Sequence, residues 1–473
     1  MLKITEEFIN SIAPNQNAVT NGLGLVKKNS FVKLYISKDE TVLFGECKGS
    51  GASNYITSAD FINQESPVYR CTCPSRQFPC KHSIGLLFAY ANGKSFEEAE
   101  IPKDIIEKRE KIEQREEKKK VEVEKGPKKV NKSALKKKLL AQLEGLELLE
   151  KIIGNFAQAG LGTINAKTIQ IMNEQVKQLG NYYLTGPQIM LKDFLLLFNN
   201  ISDHEKIYSQ AIDLLITMNS LCKKGKEYLN KRLEEASEEM QKNDLIPELL
   251  GHAWQLSELR ELGQVQNDVE LVQLAFNSFS SEARMEYVDL GIWINLKTGE
   301  IQQTFNYRPF KAAKYIREDD SFYKAAKVKE LFIYPGELNP RIRWESMEMR
   351  DVSSEDYKLI KSYAKKSYTE VIKTVKNQIK NPLSDKNPLV LINFTSIGKV
   401  DGLFAAEDEK GQRLVLEDNL YFEPRSTYML ELVEEKVLSN NCVLVRFHQS
   451  PDTGKLRAQP LGLITDDGII RLI

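Results

Sequence analysis

The sequence predicts an α+β multidomain protein, and three observations carry that expectation. Two strand-like runs, Tyr55–Phe61 and Val68–Cys73, lead into a dense Cys/His cluster and then into an apolar run, Ser83–Tyr90, that reads as a helix. From Leu135 to Ser280 apolar residues return at steps of three and four, the helical period. Beyond Ser280 the period drops to two, the period of strands. A chain of 473 residues is long enough for three or more domains, each with its own core.

Residues 1–100 read as an N-terminal domain with its core at 40–92. A short helix is expected around Glu6–Ile12, followed by turn-rich pieces at Pro14 to Asn17 and Asn21 to Gly24. Phe31–Ile36 and Thr41–Phe44 read as strands joined by a hairpin loop at Lys38 to Glu40. Then Cys71-Thr-Cys73-Pro-Ser-Arg-Gln-Phe-Pro-Cys80-Lys-His82 places four of the chain's ten Cys and His residues within twelve positions. Cys71 and Cys73, two apart on an extended segment, point to one face. Pro74 and Pro79 bracket a turn that brings Cys80 and His82 back to them. Three thiolates and an imidazole suit a tetrahedral zinc ion, and they leave no corner for water, so the expected cofactor is one structural Zn2+. A disulfide framework is the weaker alternative, because the fourth member is a histidine and nothing suggests secretion. The result is a small zinc-stabilised ββα module, whose core is too small to be stable without the metal. Cys47 lies outside the spacing and is expected to be a buried strand cysteine.

The C-x-C-x6-C-x-H spacing followed by a Leu-rich helix resembles the SWIM zinc finger. The run Gly45 to Gly51 and the wording from Cys73 to His82 are similar to bacterial SWIM zinc finger proteins in particular. The resemblance covers about residues 40–92. It implies a ββα zinc-chelating module that contacts DNA or proteins, with the ligands on Cys71, Cys73, Cys80 and His82. Bacterial relatives are often encoded beside MoxR-type AAA ATPases and von Willebrand A-domain proteins, so the resemblance also implies a protein complex of that kind. Asn306 to Lys311 and Pro335 to Trp344 resemble bacterial SWIM proteins too, and bring no catalytic assignment.

The remaining elements follow in order. Residues 101–134 are nearly all Lys, Glu and Arg around Gly126-Pro127, and read as a solvated linker. Residues 135–280 read as an antiparallel helical domain, with Leu139, Leu146, Leu149, Ile153 and Phe156 on one stripe and Ile207, Ala211, Met218 and Cys222 on another. Ser202 or Asp203 is the expected cap of that second helix. Helices are expected to continue through Arg232–Met240, Pro247–Leu262 and Val269–Ser278. Residues 281–387 read as an α+β domain. It holds a hairpin (Tyr287–Leu296 and Glu300–Tyr307), a strand at Leu331–Tyr334, and a strand presenting Arg341 and Arg343 on one face. An amphipathic helix at 351–380 follows, with a lysine stripe that includes Lys365 and Lys376. Residues 388–473 complete a β-rich C-terminal region, a barrel or sandwich with Tyr428–Val433 among its strands.

Composition narrows the function. Sixty-six basic and sixty-six acidic residues give a net charge of zero, which argues against a protein built mainly to hold nucleic acid. The first residues lack the apolar core of a signal peptide, and no apolar run approaches the ~20 residues of a membrane span. A cytoplasmic protein with no membrane contact is expected. There is no phosphate-binding loop, dinucleotide fingerprint, H-E-x-x-H or nucleophile elbow, so no enzyme is expected. The favoured expectation is a zinc-binding, non-catalytic adaptor whose finger contacts a protein partner. The alternative is a DNA- or RNA-binding protein that uses the zinc module and basic surfaces; steep salt dependence would separate the two. Arg76, Lys81, Arg341, Arg343, Lys365 and Lys376 are the expected nucleic-acid or partner contacts, although arginines paired with local acids and a solvated lysine face are the simpler readings of the last four.

Overall fold

The structure is a computed structural model that describes residues 4–13, 16–49, 53–62, 67–75, 79–107, 109, 132–199, 204–235, 244–313, 318–419, 424–449 and 454–473. The chain divides into two compact units, Met1–Lys129 and Val130–Ile473.

The first unit opens with helices α1 (Glu6–Ile12) and α2 (Gln16–Lys27), then strands β1 (Phe31–Ser37), β2 (Val42–Cys47), β3 (Tyr55–Asp60) and β4 (Val68–Cys71). Helix α3 (Lys81–Ala91) and strand β5 (Glu97–Ala99) complete it. The sheet order is β4-β3-β2-β1-β5, antiparallel except for the β1–β5 pair. His82 through Ala89 are all buried, because α3 packs against the sheet on one side and α1 and α2 on the other.

Here the structure corrects the turn expected at Asn21 to Gly24, which lies inside α2. Tertiary packing overrides the poor helix propensity of glycine. A Cβ on Gly22 would stand 2.7 Å from Ile84 Cγ2, and one on Gly85 would stand 3.1 Å from the Gly22 carbonyl oxygen. The two glycines let α2 and α3 cross closely, and that crossing fixes the N-terminus of α3, where Cys80 and His82 sit.

The start of the expected linker is also structured. Residues 103–107 are helical, Ile105 is buried, and the Arg109 guanidinium donates to the Asp60 carboxylate at 2.7 Å. The remainder, 110–131, lies outside the described residues, as do Ser202 and Asp203.

The second unit begins with helices α4 (Lys132–Ala159), α5 (Ala166–Asn181), α6 (Thr185–Leu196) and α7 (His204–Glu235), followed by the short α8 (Ile246–Leu250) and α9 (Leu256–Glu261). Leu146, Leu149, Phe194, Ala211, Met218 and Cys222 share one apolar core, so both expected stripes face inward. The continuous helix expected over Pro247–Leu262 is broken, since Gly251 takes φ 109° as the left-handed cap of α8.

The helix expected at Val269–Ser278 is a strand. β6 (Val265–Ser281) runs through the middle of a sheet with β7 (Glu286–Asn295), β8 (Ile301–Pro309), β9 (Ala325–Ile333), β10 (Ile342–Arg343) and β11 (Glu348–Arg350). Six of its seven residues from Val269 to Ala275 are buried, so it shows no alternation and reads like a core helix.

The single helix expected at 351–380 is two, α10 (Ser354–Ser362) and α11 (Tyr368–Lys380). The break occurs where Lys365 leaves the helix to exchange backbone hydrogen bonds with Leu391 and Asn393. The final strands are β12 (Leu389–Val400), β13 (Leu403–Glu407), β14 (Arg413–Leu416), β15 (Ser439–Gln449), β16 (Leu456–Ile464) and β17 (Ile469–Arg471). The order β14-β13-β12-β15-β16, closed by a parallel β14–β16 pair, makes a five-stranded barrel of OB-type connectivity. Tyr428–Val433, expected as a strand, is a 3-10 helix at Thr427–Leu432. The barrel shares a core with the preceding sheet, in which Leu274 and Ile292 meet Leu444, Leu461 and Ile360.

Candidate metal centre

The site is built by a hairpin and a helix start. β3 and β4 pair with Thr57 opposite Cys71, and the chain then passes Cys73 before turning back into α3. Cys80 is the N-cap of α3, where the helix dipole favours a thiolate, and His82 lies in the first turn. The four ligand atoms of Cys71, Cys73, Cys80 and His82 all lie within 4.8 Å of one another. Nδ1 is the imidazole nitrogen turned to the sulfurs, 3.8 Å from both Cys71 Sγ and Cys80 Sγ. Zinc bonds of about 2.3 Å to sulfur and 2.0 Å to nitrogen give tetrahedron edges of about 3.6–3.8 Å, so the donors stand close to a zinc geometry. Three of the four side chains are buried, and Cys71 is half-buried.

Electrostatics within the cluster favour thiolate at the helix start. A hydrogen bond from Cys71 holds the Cys80 thiol far below the usual range; burial opposes this, while His82 and Ser83 add to it. The same bond raises Cys71, and burial raises Cys73. A divalent cation relieves this conflict by accepting all three sulfurs as thiolates. The donor set is that of one structural zinc, with every corner supplied by protein. Cys47 is buried at the end of β2, and burial pushes its thiol up to about 11. All six cysteines are free thiols.

Residues that bind no metal hold the ligands in place. Ser83 Oγ stands 3.6 Å from Cys80 Sγ and 3.2 Å from Thr57 Oγ1, which ties the helix start to β3. The Tyr55 ring packs 4.9 Å from the His82 ring. Sequence reading missed these three. Ser83 had the clearest signal, since it lies one residue past a ligand in the first turn of a helix.

An open cleft of about 690 Å³ borders the knot. Its walls include Asn17 and Asn21 from α2, Lys48 and Tyr55 from the sheet, and Pro74 and Lys81 from the metal-binding segment. Of the expected contact residues, Lys81 therefore sits at the site, and Arg76 lies outside the described residues.

The others belong to the second unit. Arg341 pairs with Glu248 at 3.2 Å and stacks 3.6 Å from the centre of the Tyr334 ring. Arg343 is exposed on the two-residue β10, Lys365 sits in the break between α10 and α11, and Lys376 is exposed on α11. The expected stripe of lysines is thus divided between two helices, and Lys361 is already paired with Asp466 at 2.7 Å.

The SWIM zinc finger family model matches residues 67–91, a span that contains all four ligands. No curated protein and no solved structure shows a significant match to the chain. Among the described residues no helix is long and apolar enough to cross a membrane.

Proposed function

We propose that this chain is a non-catalytic adaptor whose SWIM-type finger, ordered by one zinc ion, recognises a protein partner, in a cytoplasmic complex with a MoxR-type AAA ATPase system. The observation that supports it most is the closed donor set beside an open cleft. Zinc with four protein ligands has no position for a reacting water, so its contribution is shape. The cleft beside it is within the size range of ligand sites.

A second reading, nucleic-acid binding, draws on the OB-type strand order of the barrel. Its basic side chains speak against it. Lys399 pairs with Glu431 at 2.7 Å, Arg413 with Glu407 at 2.7 Å and Arg457 with Glu417 at 2.9 Å, so phosphates would compete with carboxylates already in place.

Affinity capture by the full chain at low and high salt, with and without chelator, tests the adaptor reading. Zinc-dependent recovery of a defined protein, including an AAA ATPase, at both salt levels is the expected result. Recovery of nucleic acid alone, lost at high salt, would favour the second reading. Substrate turnover by the purified chain would overturn both.

A further inference from the structure

We infer that the cleft between α2 and the zinc knot is a seat for an extended acidic peptide; this deepens the adaptor reading and rests on it. Among the described residues no Asp or Glu lines the cleft, whereas two lysines, Lys48 and Lys81, do. Both lysines are exposed, and among the described residues neither has an ion-pair partner, although acidic residues are as numerous as basic ones in this chain. The chemistry that fits two unpaired cations in a concave wall is a ligand carboxylate.

The wall formed by α2 specifies the form of the ligand. Asn17 and Asn21 lie four residues apart on one face of α2, roughly 6 Å along its axis. An extended peptide repeats every second residue, roughly 6.6–6.8 Å. Each primary amide offers one acceptor and two donors, the complement of a peptide N–H and C=O. Two such amides one turn apart therefore match alternate peptide units of a strand lying along α2, and neither amide has another partner among the described residues.

The same geometry suits nucleic acid less well. Base stacking needs an open aromatic face, and among the described lining residues the Tyr55 ring is packed against that of His82.

The test uses the full chain loaded with zinc and fluorescence anisotropy of labelled octamers. The probes are a peptide of alternating Glu and Gly, its Lys and Gly counterpart, the Glu peptide N-methylated at alternate positions, and an oligothymidine of eight nucleotides. The Glu peptide should bind saturably, and the Lys peptide should not. Joint Lys48→Ala and Lys81→Ala substitution should weaken binding about tenfold or more, as should joint Asn17→Ala and Asn21→Ala substitution or N-methylation. Zinc content and melting temperature should stay unchanged in both variants. Absence of saturable peptide binding overturns the inference. Unchanged affinity in the zinc-replete variants also overturns it, as does oligothymidine binding more tightly than the peptide and being lost in the same variants. Zinc-dependent capture of a protein that persists in both variants would leave the adaptor reading standing while removing this cleft from it.

Discussion

Ser83 ligates nothing, yet it is fully buried and stands between a metal thiolate and the strand that carries Thr57. Ligands and supports should separate experimentally. Cys80→Ala or His82→Ala is expected to reduce zinc from one ion per chain to about a tenth or less and to unfold the first unit, because metal binding supplies its folding free energy. Ser83→Ala should keep the ion and weaken its affinity about tenfold. Chelator titration with atomic-absorption analysis of the three variants checks both outcomes. The ligands were legible because zinc requires particular atoms at short spacing. Tyr55 and Thr57 were not, since their contacts with His82 and Ser83 depend on which elements are brought alongside one another.

Elements were misread where tertiary packing overrides local signals. α2 contains Asn21-Gly22-Leu23-Gly24, a turn by composition, and is a helix because Gly22 fits against Gly85. Two substitutions on this helix should therefore act oppositely. Gly22→Val meets Ile84 and is expected to cost about 1–3 kcal/mol. Gly24→Ala meets nothing within 4 Å and should stabilise by up to about 1 kcal/mol. Thermal melts of the zinc-loaded variants measure both.

At α10 the cap is a network, not a single residue. Asp356 accepts from the Ser353 backbone N–H at 2.7 Å and from Arg350 at 2.6 and 2.8 Å, while Arg350 also engages Glu270. The hydrogen bonds from Arg350 hold the Asp356 carboxyl down at about 2. A carboxyl depressed below its unfolded value stabilises the fold above about pH 4 and loses that contribution as pH falls toward 2. Asp356→Asn should remove this acid-sensitive part, about 2 kcal/mol at neutral pH, and denaturant titrations from pH 7 to pH 2 would show it.

For the whole molecule, the broad sequence of regions was legible: a metal-bearing module, then helices, then strands. The limits of each were not. The helical period ran on into β6 because a strand buried on both faces carries no alternation, and the charge-rich segment concealed Ile105 and Arg109, which return to the first unit. A fragment of residues 1–129 should therefore melt cooperatively with zinc, at a higher temperature than one of residues 1–100, which lacks both contacts. Equal melting temperatures would show that the 103–109 return adds no stability.

The anchoring of β17 on β6 bears on how the protein is made. Arg471 donates to the carbonyl of Gln273, 198 residues earlier, and to that of Phe322. At translation rates of about 5–20 residues per second, the apolar surface of β6 emerges from the ribosome roughly 10–40 s before the strand that will shield it. The zinc module, complete by Arg109, has no such wait. Nascent chains stalled before residue 456 should thus present a folded head and a chaperone-dependent tail.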